Sequence, residues 1–376
     1  MHLSTHLQLM QMHISNKRNL KNDVLVDHTL IIKEIEKSIR FYDWEFILPF
    51  LPHGSILVGG YIRDIILCRE KTKIDVDIVV PENSIEIGKK IADNFAGKFI
   101  ILDQEREVVR IIFHHIEIDI ASQLSDSVKF DLNSRDFSIN AIAFSFDKRL
   151  IIDPQDGIRD ISYSLLRTNT EQNLLDDPLR ILRCFRFISE LDFDVDRALL
   201  RFIKKNKNKL NLVAKERINY ELRRVIRGRK ALKSIKLIKQ FKILSFLHSE
   251  TDSLTIDLDK IDFEDFTQNE LEKFLPLFYL VQILDEVSLK KLSFSKSEIM
   301  NVKLLRKWKI ILQTKTINEL SEIERFDLHQ ELEIILPAFI LWLPKKLHLD
   351  WLTRWRNESD KLFHPSNLIK GDLIKK

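Results

Sequence analysis

Asp75 and Asp77 stand two residues apart in Ile74–Val80, where apolar residues alternate with them as on a half-buried strand. Such a strand sends residues i and i+2 to one face, about 7 Å apart along the backbone, near enough for two carboxylates to share divalent cations. Phosphoryl-transfer enzymes hold Mg2+ with oxygen donors of this kind, and the ions activate an attacking hydroxyl and neutralise the leaving pyrophosphate. An exposed strand face also yields Asp-x-Asp by chance, so the surroundings decide. A short way upstream lies Gly59-Gly60-Tyr61-Ile62-Arg63-Asp64, and of only 8 glycines in the chain, Gly54, Gly59 and Gly60 fall together here. Two glycines at a helix start let backbone N–H groups approach a phosphate, the helix dipole favours the anion, and Arg63 in the first turn can reach it. Read blandly, the same residues are a tight turn with an Arg–Asp surface pair.

Other groups extend the pattern. Asp119, in the alternating stretch Ile116–Ile120, is a candidate third carboxylate, either a metal ligand or base orienter, or else an exposed strand residue. Arg135-Asp136-Phe137-Ser138-Ile139-Asn140-Ala141 joins a cation, an N-cap-competent Asp and an Asn able to contact a sugar hydroxyl, at a predicted helix start. Asp177-Pro178-Leu179-Arg180-Ile181-Leu182-Arg183-Cys184-Phe185-Arg186 predicts a helix with Asp near the N-cap and Pro in the first turn. At about 100° per residue, Ile181, Leu182, Phe185 and Ile188 share one face, while Arg180, Arg183 and Arg186 fan across the other. Arg180 can pair back to Asp176 or Asp177 and Arg186 on to Glu190. Arg183 has no acidic residue three or four away, so the row repels itself unless an anion such as a nucleotide neutralises it. Asp177 and Arg180 also have the donors and acceptors to read a base edge. A solvated basic helix face is the plainer alternative.

These residues need a scaffold, and the sequence supplies an α+β one. It predicts strand Ile56–Val58, helix Tyr61–Leu67, strand Ile74–Val80, helix Ser84–Phe95, and strands Phe99–Leu102, Val108–Phe113 and Ile116–Ile120. A helix from Phe137–Ala141 onward and strands Ile142–Phe146 and Leu150–Ile152 follow, closing at the Asp153-Pro154…Gly157 turn. The sheet is mixed, and beyond about residue 165 helical spacing takes over. At 376 residues the chain has room for two or three domains. With 44% hydrophobic and 31% charged residues it reads as soluble and globular, and no apolar run approaches the ~20 residues of a membrane span. Met1–Lys21 has no apolar core of a secretory signal, and Cys68 and Cys184 alone make neither a disulfide framework nor a zinc knuckle, which predicts a cytoplasmic protein. The net charge of +4 says little by itself, but the basic runs Lys204–Lys209 and Arg223–Lys230 suit either a solvated helix face or an RNA backbone.

In this order the segments resemble the class II tRNA nucleotidyltransferases, the CCA-adding enzymes, and the related bacterial poly(A) polymerases, over about residues 54–228. Leu57–Asp64 with Asp75-Val76-Asp77 resembles the family's first motif, Arg135–Ala141 its second and Asp153-Pro154…Gly157 its third. Asp177–Phe187 is similar to the base-selecting motif, and Glu216-Arg217-Ile218…Glu221-Leu222 to the last. The resemblance implies an N-terminal extension (1–30), a nucleotidyltransferase head with a polymerase-β-like palm (31–165), a helical neck that selects the base (166–228), and a helical body and tail that bind RNA (229–376). It implies that Asp75 and Asp77 bind Mg2+, that Gly60, Arg63 and Arg135 hold the incoming CTP or ATP, that Asp177 and Arg180 pair with the base as a protein template, and that Arg183 and Arg186 support the triphosphate. The activity implied is Mg2+-dependent, template-independent addition of C and A to the 3′ acceptor end of tRNA, with release of pyrophosphate. Asp176 stands where the family usually has Glu, Ser134 where a second Arg is common, and Ser138 for Thr. The connection from Asp119 to Arg135 is short, and in the family a longer flexible loop there goes with adding the terminal A. CC-only addition, with a separate A-adding enzyme to finish the end, is therefore the main alternative, and an ATP-using poly(A) polymerase is another. An inactive RNA-binding relative is disfavoured by the intact carboxylate pair.

Overall fold

A computed structural model describes residues 27–69, 72–123, 125, 127–247, 258 and 261–365. Most of the expected N-terminal extension lies outside these residues. The chain divides into two compact units: residues up to Asp177 with Phe193–Phe202, and Pro178–Asp192 with the chain from Ile203 onward.

The first unit is built on a seven-stranded sheet of order β3-β4-β5-β2-β1-β6-β7. Its strands are β1 (Ile56–Val58), β2 (Ile74–Val80), β3 (Lys98–Asp103), β4 (Val108–Ile112), β5 (Ile116–Ser122), β6 (Ala143–Ser145) and β7 (Leu150–Ile152). Only β2 and β5 run parallel; the other neighbours are antiparallel, so the expected mixed sheet forms. Its helices are α1 (His28–Phe41), α2 (Gly60–Ile66), α3 (Ser84–Phe95), α4 (Val128–Asn133), α5 (Gly157–Ser162) and α6 (Glu171–Asp176).

Alternation along the strands separates the two faces of the sheet. Val76 and Ile78 of β2, Ile118 and Ile120 of β5, and Val109 and Ile111 of β4 are buried on one face, where α3 packs. The other face carries Asp75, Asp77, Arg110, Glu117 and Asp119, with Asp75 opposite Glu117, Asp77 opposite Asp119, and Arg110 opposite Asp119. Toward β1 and β6 this second face turns apolar, where Ile56, Val58, Val79 and Ala143 cluster with Leu132 of α4 and Ala141. The carboxylates thus sit at the margin of a core, on strands it fixes.

The helix expected from Phe137 onward does not form. Ser138–Asn140 make a single 3-10 turn, because Phe137 bridges to Thr168, Ser138 N–H donates to Arg167 O at 3.0 Å, and the chain then enters β6. This turn is wedged against α5: a Cβ on Gly157 would lie 2.1 Å from the Ser138 carbonyl oxygen, while Asp153 caps α5 through the amides of Gly157 (2.7 Å) and Ile158 (2.9 Å). A two-residue parallel pair, β8 (Leu165–Leu166) with β9 (Asp194–Val195), adds strand where the sequence signals only helix. It is too short to leave a period in the sequence.

The second unit is helical, as expected. Helix α7 (Leu179–Leu191) packs on α9 (Lys215–Arg227) and α10 (Ala231–Gln240), which in turn meet α11 (Gln268–Ile283); α8 (Arg197–Asn206) falls at the division between the units. Then come α12 (Glu286–Lys291), α13 (Lys296–Thr314), α14 (Glu322–Leu332), α15 (Leu336–Ile340) and α16 (His348–Arg356). Capping boxes at Thr267/Glu270, Ser295/Glu298 and Ser321/Glu324 start α11, α13 and α14. No helix among the described residues is long and apolar enough to cross a membrane.

Two side chains of α9 clamp the turn into α13. Asn219 donates to Leu292 O at 2.7 Å, and Arg223 lies over Phe294 and binds both oxygens of Glu298 at 2.7 and 2.9 Å. Burial resists ionisation of Glu298, but the hydrogen bonds from Arg223 and Ser295 outweigh it and hold the carboxyl down at about 2. A depressed carboxyl stabilises the fold above its unfolded-state range and loses that contribution as pH falls through the folded value. Glu298→Gln should therefore lower Tm at neutral pH by a margin that stays constant to the ordinary Glu range near 4.5 and shrinks toward pH 2. Thermal melts by circular dichroism across that range check it, and a margin independent of pH would refute the clamp.

Candidate active site

In the first unit the turn between β1 and α2 sets the geometry. Gly59 has φ +78° and ψ −132°, a conformation that side chains with a Cβ rarely adopt, and its amide donates to Ile142 O of the segment entering β6. A Cβ on Gly59 would lie 2.9 Å from Arg135 Nη1 and 3.3 Å from Asp77 Oδ2. Gly59 is thus the point at which Asp77 of β2 and Arg135 converge. Asp75 is exposed and Asp77 half-buried on the same face. Their hard oxygen donors and strand spacing fit a divalent cation such as Mg2+.

Asp119 lies beside Asp77 in register but is already engaged. Arg110 grips it bidentately, Nε to Oδ1 at 2.7 Å and Nη2 to Oδ2 at 2.8 Å, and reaches Glu117 at 3.3 Å. Lys73 also pairs with Glu117. Among the described residues no group of three or more His, Cys, Asp or Glu side chains is arranged to hold a metal ion.

Arg63, expected either to reach a phosphate from the first turn of the helix or to form a surface pair with Asp64, is only 7% exposed. It donates to both oxygens of Asp64 and, at 2.6 Å, to Asn140 Oδ1; Asn140 Nδ2 donates in turn to Asp136 Oδ1 at 2.9 Å. The Arg–Asp pair is therefore buried structure, and Asn140, a candidate sugar contact, is the link that ties the Gly-Gly helix to the Arg135–Ala141 segment. Arg135 differs. Its Nη2 is 3.5 Å from Asp131, and its Nε is buried without a hydrogen-bond partner among the described residues. Its backbone is fixed by Asn169 and Asn173, whose amides donate to the Arg135 carbonyl at 3.0 and 2.7 Å.

In the second unit α7 carries the arginine row. Pro178 occupies the N-cap position of the helix, and Asp177 immediately before it is extended chain, at φ −134° and ψ 92°. Arg180 and Arg183 are half-buried, and the Arg183 guanidinium lies 5.8 Å from the Phe187 ring centre. Arg186 is 5% exposed and binds both oxygens of Glu221 at 2.9 and 3.1 Å, with Glu190, the expected partner, at 3.9 Å. Glu190 is taken instead by Arg224 at 2.9 Å. Burial, with the Arg183 charge beside it, brings the Arg186 guanidinium down to about 10, against the pull of Glu221; burial likewise pushes the Glu221 carboxyl up. The Glu221 contact was missed in the sequence because its partner stands 35 residues away on another helix. The signal was the pair of acidic residues, Glu216 and Glu221, in an otherwise basic helix.

The comparisons agree with this architecture. The Poly A polymerase head domain matches residues 55–167, and the family described as probable RNA and SrmB-binding site of polymerase A matches residues 192–255. A CC-adding tRNA nucleotidyltransferase of Synechocystis sp. is 30% identical over 364 residues, covering 88% of this chain and 86% of the relative. The chain belongs to the tRNA nucleotidyltransferase and poly(A) polymerase family. An A-adding tRNA nucleotidyltransferase of Deinococcus radiodurans is 31% identical over 52% of this chain and 45% of its own length. The fold is also that of a Thermotoga maritima CCA-adding enzyme complexed with tRNA, at a TM-score of 0.68 and 23% identity over 93% of this chain and 90% of the other. Like its family, this chain is a nucleotidyltransferase.

Removing one partner of a buried ion pair leaves an uncompensated charge, at a cost of about 3–5 kcal/mol. Glu221→Ala should show that loss in urea unfolding, and Arg186→Met/Glu221→Leu, which removes both charges, should recover most of it. Equal losses in the two variants would show that the pairing of charges is not what the site requires.

Proposed function

We propose that this nucleotidyltransferase adds the two cytidines of the CCA end to tRNA from CTP, and that a separate enzyme supplies the terminal A. The observation that carries the reading is the number of residues between β5 and α4: only residues 123–127 separate Ser122 from Val128, leaving no length for the extended loop that the family resemblance associates with A addition. The similarity over most of both chains to a CC-adding relative supports the same choice. Full CCA addition has the tRNA-complexed fold neighbour in its favour, though that likeness is one of fold alone.

In the proposed reaction the 3′ hydroxyl of the RNA loses its proton to solvent as its oxygen bonds to the α-phosphorus of CTP, the bond to the bridging oxygen breaks, and pyrophosphate leaves with that electron pair. Asp75 and Asp77 would hold Mg2+, which when bound lowers the barrier by neutralising the charge that develops on the phosphates. Arg135, with its buried and unsatisfied Nε beside Gly59, is suited to donate to a triphosphate oxygen, and the backbone at Gly60 begins the helix that favours the anion. Arg63, held by Asp64 and Asn140, positions that turn rather than binding the nucleotide itself. Asp177 and Arg180 are assigned to the base edge and Arg183 to the triphosphate, while Arg186, held by Glu221, fixes the helix that presents them. The helices beyond residue 229 are assigned to the tRNA, chiefly through its phosphates.

The deciding experiment supplies labelled CTP, ATP or both, with Mg2+, to tRNA ending before CCA and to tRNA ending in CC. Stopping at CC on the first and no A on the second is the expected result. Completion of both ends would make this a full CCA-adding enzyme, and long ATP tails a poly(A) polymerase. Asp75→Ala and Asp77→Ala should each abolish incorporation while tRNA binding by gel shift persists; normal turnover in either removes the metal assignment. Asp177→Ala should admit UTP or ATP in place of CTP more than it raises the KM for CTP, and an unaltered preference would remove the protein-template assignment.

A further inference from the structure

The sheet face that carries Asp75 and Asp77 holds two more carboxylates at the same level, Glu117 opposite Asp75 and Asp119 opposite Asp77 on the parallel strand β5. Four such groups would repel one another and bind cations without discrimination unless some were neutralised. Lys73 pairs with Glu117 alone, and the cation that reaches both carboxylates of β5 is Arg110, on the third strand of the same face and directly opposite Asp119. Its fork meets Asp119 through two short, parallel hydrogen bonds, the arrangement in which guanidinium and carboxylate pair most strongly, and its remaining nitrogen reaches Glu117. Arg110 also lies in the field of Asp75. The hydrogen bonds to Asp119 hold the guanidinium charged far above any working pH.

We propose that Arg110 is a positioning residue that withholds Asp119 from the metal site, so that the metal-binding capacity of this head is set by Asp75 and Asp77 alone and not by a trio of carboxylates. The proposal rests on the reading of Asp75 and Asp77 as metal ligands and adds to it a determinant of affinity. A two-carboxylate site holds a divalent cation loosely, and the triphosphate oxygens then complete its shell, so metal and nucleotide enter together. With Asp119 released, a third anionic ligand would let the ion bind tightly ahead of the nucleotide.

The test is Mn2+ binding to the full chain without nucleotide or RNA, followed by the electron paramagnetic resonance signal of free Mn2+, with Asp75→Ala as the reference that defines the site. Arg110→Gln should bind Mn2+ several-fold more tightly than the parent, Asp119→Asn should bind as the parent does, and Arg110→Gln/Asp119→Asn should return to the parent affinity. A purely structural role for Arg110 would loosen binding or leave it unchanged, which overturns the proposal. Weakened binding in Asp119→Asn also overturns it, since Asp119 would then be a ligand already, and this variant stays informative if Arg110→Gln fails to fold. Parent binding that is indifferent to Asp75→Ala would sink the metal assignment itself, and the proposal with it. Parent binding lost in Asp75→Ala but equal in Arg110→Gln sinks the proposal alone.

Discussion

Everything in the first unit depends on one close approach, that of the Gly59 backbone to Asp77 and Arg135. The φ of +78° resists any side chain there, and a Cβ would push the Arg135 guanidinium away from Asp77. Three separate stretches of chain, the β1–α2 turn, β2 and the segment after α4, are thereby brought within reach of a single ligand. The buried chain Asp64–Arg63–Asn140–Asp136 locks the first of these to the third. Each polar group in that chain is satisfied by the next, which lets charge and amide lie in the interior without a desolvation cost that would unfold it.

A second buried link performs the same service in the helical unit. Arg186 and Glu221 join α7 to α9, Ser189 of α7 donates to the Val225 carbonyl of α9, and Ser234 of α10 donates to the Phe185 carbonyl of α7. Both units therefore spend one arginine of a sequence motif on holding the motif's own element in place. Arginine suits the task because its planar fork keeps its charge when buried and satisfies two acceptors at once.

Much of this was legible in the sequence. The strands Ile56–Val58 and Ile74–Val80 and the helix Ser84–Phe95 have the bounds read from alternation and helical period, because burial on one face imposes that period directly. Phe137–Asn140 was misread as the start of a helix; the Ser138 N–H is claimed instead by Arg167, 29 positions downstream, Phe137 bridges to Thr168, and no local pattern records either contact. The same limit hid the carboxylate and amide partners of Arg63 and the Glu221 partner of Arg186. Their motifs marked these two as special, whereas Arg110 carried no such mark, and whether an arginine meets a buried carboxylate depends on a partner that only the fold brings near. Asp119, read as either a third carboxylate of the site or an exposed strand residue, has in Arg110 of β4 a partner that its own strand does not reveal.

The single parallel pairing of the sheet, β2 with β5, has a consequence for how the site comes into being. The two strands cannot be joined by a hairpin; the chain must first lay down α3, β3 and β4, so residues 81–115 intervene before Asp77 finds Asp119 beside it. Closing so long a loop before any contact repays it is a slow step. On a ribosome the acidic strand β2 emerges well ahead of the strand that carries its neighbouring carboxylates, and Arg110 emerges before either Glu117 or Asp119. The charge that balances the face is thus synthesised before the carboxylates it must balance, and β4 can pair with β5 as a simple hairpin before the combined ribbon docks onto β2.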